Sequence, residues 1–181
     1  AFALRELKFK RMLFLVHRGQ IAKQSLKSYR KVFGNDISMG LVTGKHQDYD
    51  VDFIFATIQT LSKDEVLKKY DRQAFDAIVI DEAHHSTANS YRDLFAQFTP
   101  HIFLGLTATP ERMDGESILP DFNNRISAEI RLPEALNLLL LCPFQYYCIT
   151  DDVVDLRDVD CPGGRYDINQ LTQKLCDPRR L

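Results

Sequence analysis

Two adjacent carboxylates close an apolar run in this sequence, Ala77-Ile-Val-Ile-Asp81-Glu82-Ala83-His84-His85. Aliphatic residues of strand length deliver Asp81 and Glu82 together to the carboxyl end of a buried strand, the end where open α/β sheets bind ligands. A carboxylate placed there can hold Mg²⁺ through its water shell beside a nucleotide. Its neighbour can orient or deprotonate an attacking water. About 25 residues further on comes a second strand with a polar exit, Phe103-Leu-Gly-Leu-Thr107-Ala108-Thr109-Pro110. Pro110 ends that element, and the hydroxyls of Thr107 and Thr109 stand where they can bond the loop of the first strand.

The rest of the chain must position these two strand ends, and it alternates. Ala1–Lys10 has the apolar spacing of a helix end, and Met12–Val16 is an apolar run of strand length. Gln20–Phe33 has helical spacing and exits at Gly34-Asn35. Ile37–Val42 and Phe53–Thr57 read as strands around a polar turn at Gly44–Asp50. A charged helix over Ser62–Tyr70, a strand over Phe75–Ile80, a helix over Ser90–Phe98 and a strand over Ile102–Thr107 follow. Near-unbroken apolar strands separated by helices predict an α/β fold, a parallel sheet with helices on both faces. After Pro110 the alternation fails. A strand over Ile126–Leu132, a helix over Pro133–Leu139, a strand over Phe144–Thr150 and a capped helix over Asp167–Cys176 are expected, with Asp151–Asp160 as an acidic linker.

Composition narrows the classes. With 181 residues, 45% hydrophobic and 27% charged, the chain suits one well-buried core. A formal charge of −2 excludes a globally basic nucleic-acid coat, yet residues 1–31 carry nine Lys and Arg against the single Glu6. Its longest apolar runs, such as Leu138–Leu141, are far short of the roughly 20 residues of a membrane span. Cys142, Cys148, Cys161 and Cys176 include no C-x-x-C pair and read as reduced thiols of a cytoplasmic protein rather than a zinc site.

The ordered pair Asp81-Glu82-Ala83-His84-His85 and Thr107-Ala108-Thr109-Pro110, each at a strand end, resembles the first RecA-like domain of superfamily 2 DEAD/DEAH-type helicases. The branch it most resembles holds type III restriction subunits and bacterial repair helicases. Leu13–Gln24, Phe53–Leu61 and Glu111–Ala135 continue the resemblance, which covers about 150 residues. It implies a RecA-like sheet over residues 1–145, with 146–181 as a linker or the start of the region leading to a second RecA-like domain of the same parent chain. It further implies ATP and Mg²⁺ as cofactors, with Asp81 holding the metal through water and Glu82 as the catalytic base. His84, His85, Thr107 and Thr109 would couple hydrolysis to movement. Arg18, Gln24 and Thr57 would contact nucleic acid, DNA in this reading, at sites that include a helix N-terminus facing a phosphate.

One departure stands out. The family's phosphate-binding loop, G-x-x-x-x-G-K-[ST], does not occur, and Gly44-Lys45-His46 is its nearest approach. In the family that loop sits just before the helix read here at residues 1–10. The expectation is therefore a chain cut after it, a sheet incomplete at its N-terminus, and a fragment inactive by itself. Two other readings remain open: a non-catalytic RecA-like module that binds nucleic acid or a partner, and a metallohydrolase with Asp81, His84 and His85 as ligands. The second lacks a matching set among His17, His46 and His101.

Overall fold

The structure, a computed structural model, describes residues 1–85, 89–109, 117–147, 155–161 and 166–176. The chain divides into two compact units, Ala1–Arg112 with Glu116–Arg125, and Met113–Gly115 with Ile126–Leu181.

The first unit is built on a six-stranded sheet. Its strands are β1 (Met12–Val16), β2 (Met39–Thr43), β3 (His46–Gln47), β4 (Phe53–Thr57), β5 (Ala77–Asp81) and β6 (Ile102–Leu106). Their order is β3-β2-β4-β1-β5-β6, parallel throughout except for the short β3, which forms an antiparallel hairpin with β2 inside the expected polar turn. Helices α1 (Phe2–Glu6), α2 (Gly19–Phe33), α3 (Ile58–Leu61), α4 (Asp64–Leu67) and α5 (Asn89–Gln97) accompany it. The charged helix expected over Ser62–Tyr70 is the single turn of α4, preceded by a separate turn, α3. Helix α2 stops where expected, because Gly34 takes φ +62°, open to glycine without a Cβ penalty.

Side-chain alternation divides the core in two. Leu13, Leu15, Ile54, Ala56, Ile78 and Ile80 face one way and pack with Ile58 and Leu61 of α3, Val66 and Leu67 of α4, and Tyr91 and Leu94 of α5. Met12, Phe14, Val16, Phe53, Phe55, Ala77 and Val79 face the other way and pack with Leu4 of α1 and Ala22 and Phe33 of α2. Strands covered on both faces need apolar side chains at odd and even positions alike, which is why β1, β4 and β5 read as unbroken runs. At the opposite end from the carboxylates, Asp76 ties β5 to β1 by accepting the backbone N–H groups of Lys10 (2.8 Å) and Arg11 (2.9 Å).

In the second unit the expected strand over Ile126–Leu132 does not form. Residues 126–131 take no regular structure, and Leu132 begins α6 (Leu132–Asn137) with Pro133 in its first turn. Apolar alternation makes a strand only when a neighbour supplies ladder hydrogen bonds, and none is present among the described residues here. Residues 144–147 are likewise irregular, and the remainder of that expected strand, with Cys148, lies outside the described residues. Helix α7 (Ile168–Leu175) forms as read, its N-cap Asp167 accepting the Gln170 N–H at 2.9 Å. No helix among the described residues is long and apolar enough to cross a membrane.

Candidate functional site

The chain leaves β1 toward β2 and leaves β5 toward β6, so the winding reverses between two neighbouring strands. In open α/β sheets ligands bind at such a reversal, at the carboxyl edge of the sheet. Strand register sets Val16 beside Thr57, Leu15 beside Ile80, and Asp81 beside Leu106. The sequence-predicted residues Arg18, Thr57, Asp81, Glu82, His84, Thr107 and Thr109 therefore stand along one edge. That much of the predicted site is assembled by the sheet itself.

Asp81 ends β5 half-buried, and Glu82 follows it exposed, at φ +56°. A left-handed glutamate costs of order 1–3 kcal/mol and persists only where its surroundings hold it. Here the Glu82 N–H donates to Asp81 Oδ1 at 3.2 Å, and Ala83–His85 close a 3₁₀ turn directly after it. The twist turns the chain back over the end of β6. Within this turn His84 Nδ1 lies 3.2 Å from Glu82 Oε2, 3.0 Å from Thr107 Oγ1 and 3.4 Å from Thr109 Oγ1. The Thr109 N–H donates to Thr107 Oγ1 at 3.1 Å, which holds the two threonines in one arc. One imidazole nitrogen thus joins both motifs. His85 closes the turn, while its side chain and Pro110 lie outside the described residues.

Gly105 makes this approach possible. A Cβ there would stand 2.9 Å from Ala83 Cβ and 2.6 Å from the Phe122 ring, closer than side chains tolerate. Its absence from β6 lets the turn after Glu82 settle against the strand.

At the same edge Arg18 caps α2 and is exposed, as is Gln24 within that helix. Thr57 is 8% exposed, and its hydroxyl shares a 2.9 Å hydrogen bond with Thr60, so a phosphate contact there would have to compete with that bond. The helix it precedes, α3, is a single turn.

Three residues near this edge were not legible as a group. Gln59 Nε2 lies 3.1 Å from His17 Nδ1, bonding the exit of β1 to the turn after β4. The His17 ring meets Tyr91 edge-on at 6.3 Å. Tyr91 is fully buried, its hydroxyl finds no hydrogen-bond partner among the described residues, and burial, with the Asp81 charge adding to it, pushes its phenol up to about 12. In sequence Tyr91 is one more apolar position of an amphipathic helix, and nothing in its spacing sets it apart from Leu94. Its place within reach of the Asp81 charge depends on where α5 docks.

The donor set suits a hard cation: a carboxylate at the strand end, with one oxygen engaged by a backbone N–H. No cluster of three or more His, Cys, Asp or Glu able to hold a bare metal occurs among the described residues. Cys142, Cys161 and Cys176 are exposed and free.

The sequence matches the family described as the type III restriction enzyme res subunit over residues 1–112. It is 38% identical over 172 residues to a putative ATP-dependent helicase, IRC3, of Saccharomyces cerevisiae, covering 90% of this chain and 24% of that protein. It is 29% identical over 167 residues to the type I restriction enzyme EcoAI endonuclease subunit of Escherichia coli, covering 88% of this chain and 20% of that one. The chain thus spans about a quarter or less of the length of these two relatives. The Hef helicase domain of Pyrococcus furiosus shares the fold with a TM-score of 0.56 and 20% identity, over 67% of this chain and 30% of that structure.

Proposed function

The chain belongs to the type III restriction enzyme res subunit family, with the fold of a first RecA-like domain of superfamily 2 helicases, and on that premise we propose how its residues serve an ATP-driven motor. In this reading it is the part of a helicase or translocase that couples ATP hydrolysis to movement along nucleic acid, DNA in the first instance. The observation that carries it is the His84 bridge: Nδ1 within 3.2 Å of Glu82 and 3.0 Å of Thr107.

When bound, Mg²⁺ and ATP supply a polarised γ-phosphate open to in-line attack by water. Asp81 would hold the metal beside the nucleotide. Glu82 orients the attacking water and takes its proton. His84 Nδ1 is shared between the Glu82 carboxylate and the hydroxyls of Thr107 and Thr109, so a change at the carboxylate is felt at the end of β6. Arg18 and Gln24 bind phosphates beside the carboxyl edge of the sheet, with Thr57 joining once its bond to Thr60 opens; contacts of this kind carry little sequence preference. His85 extends the coupling set, and a second RecA-like domain of the parent chain completes the site. The cytoplasm is the compartment that suits its free thiols.

This chain contributes carboxylates and no G-x-x-x-x-G-K-[ST] loop, so by itself it is expected to be inactive. The test is made on the full-length protein. Glu82→Gln should lower nucleic-acid-stimulated hydrolysis by at least about 10²-fold while ATP binding survives. Asp81→Asn should weaken the Mg²⁺-dependent part of binding. Parental hydrolysis rates in both variants would refute the roles given to Asp81 and Glu82, whereas a full-length parental protein without nucleic-acid-stimulated hydrolysis would favour a non-catalytic binding module.

A further inference from the structure

Residues 7–35 contain eight Lys and Arg and not one Asp or Glu. Helix α2 takes up half of this segment, and its charges are not scattered around it. Lys23, Lys27 and Lys31 recur every fourth residue, and at 3.6 residues per turn they fall within about 80° of one another. All three are exposed. The opposite face carries Ala22 and Phe33 into the core, with Leu26 and Tyr29 packed against it. Arg30 is spent locally, donating to the carbonyls of Ile37 (2.9 Å) and Gly34 (3.2 Å).

A solubilising face normally mixes signs, and neighbouring lysines four apart destabilise a helix. Elsewhere in the molecule basic side chains near helices do meet acids: Lys68 with Asp64 at 3.9 Å, Lys174 with Asp158 at 3.4 Å, Arg5 with Glu6 at 3.8 Å. On α2 no lysine has such a partner among the described residues. The ridge also has a direction. Its first lysine lies five residues, about 7.5 Å along the axis, past Arg18 at the carboxyl edge of the sheet, and the ridge runs down the flank with a spacing of about 6 Å between successive lysines.

We propose that the lysine ridge of α2 is a second nucleic-acid contact, a track for the sugar–phosphate backbone outside the stretch that crosses the strand exits. It rests on the reading of the chain as a nucleic-acid motor and goes beyond it. The strand exits of β4 and β1 lie about 5 Å apart, enough for only a nucleotide or two. Three cations over about 12 Å of helix extend the footprint away from that edge. Because the contacts are to phosphates, the ridge adds affinity and salt dependence rather than sequence preference.

The experiment compares K23Q/K27Q/K31Q with Arg18→Ala in the full-length protein, by fluorescence anisotropy on two oligonucleotides of about 6 and about 25 nucleotides, spanning the usual range of single-strand site sizes. The triple variant should keep the parental affinity for the short probe. It should bind the long one at least about tenfold more weakly at 0.1 M salt, with the log K against log salt slope reduced by about 2 to 3. Arg18→Ala should weaken both lengths, and K23R/K27R/K31R should restore the long-probe affinity. Long-probe affinity and slope unaltered by the triple variant would overturn the ridge alone. Parental protein that binds neither length would overturn the motor reading and the ridge with it.

Discussion

Strands β5 and β6 lie side by side, paired from Ala77 with Ile102 to Asp81 with Leu106, and both are apolar in sequence, yet their surroundings differ. In β5 residues 77–80 are buried on both faces. In β6, Leu104 is 38% and Leu106 42% exposed. The cause is the direction of the crossovers. Helix α5 connects β5 to β6 and covers one face of both, where Phe95 meets Phe103 edge-on. The helices of the other face, α1 and α2, serve β1, β4 and β2, because the chain leaves β1 away from β5. The bare face of β6 is thus a consequence of topology, not of polarity. It also shows how the site is built: β5 is a rigid shelf for Asp81 and Glu82, while β6, held on one face, carries the threonines that His84 touches. In the proposed motor, the strand that would respond to hydrolysis is the less anchored of the two.

The sharpest way to break this comparison is to truncate the same kind of side chain in each strand. Ile80→Ala should cost about 2–5 kcal/mol, since the cavity it leaves is closed on every side by the core. Leu106→Ala should cost less than about 1 kcal/mol, because much of its surface already meets water. Urea denaturation measures both, and equal losses would show that β6 is as anchored as β5.

A second substitution probes the seam between the strands. Gly105→Ala drives a methyl into Phe122 and Ala83 and should cost about 1–3 kcal/mol. Unlike Leu106→Ala, it should also displace the turn that holds His84, seen as a shift of the His84 ring resonances by NMR. A loss of stability with those resonances unmoved would separate the packing from the bridge.

The smallest effect sharpens the contrast between covered and bare faces. Tyr29, Tyr70 and Tyr91 lie within the covered layers, and burial pushes each phenol up to about 12, with Asp81 adding to the effect at Tyr91. Below pH 10 the folded and unfolded chains hold these protons alike. Between pH 10 and about 12 the unfolded chain releases protons that the folded chain keeps, so stability falls as pH rises. Melting temperature followed across this window should drop, and Tyr91→Phe should flatten part of the decline. A Tyr91→Phe profile superimposable on the parental one would mean that Tyr91 ionises as freely folded as unfolded.

The sequence by itself was enough for most of the local order, the split of the helix expected over Ser62–Tyr70 into two turns excepted. Met12–Val16 and Phe53–Thr57 form strands within the boundaries read from their apolar runs, and Gly34 ends α2. Asp81-Glu82 and Thr107-Ala108-Thr109 stand at strand ends because a strand's polar exit follows from the chain's own period. Beyond local order the reading failed in a regular way. Ile126–Leu132 has the apolar content of a strand and no neighbour to pair with among the described residues, and pairing is a property of distant residues. An unbroken apolar run says that a strand can be covered on both faces, and only the strand order says whether it is, which is why β6 could not be told from β5. Likewise α2 showed its basic excess in sequence, while the solvent-facing ridge needed the helix docked on the sheet. Tyr91, Gly105 and the His84 bridge complete the site by meeting residues far along the chain, His17, Phe122 and Thr109 among them, and packing that no short window of sequence contains decided those meetings.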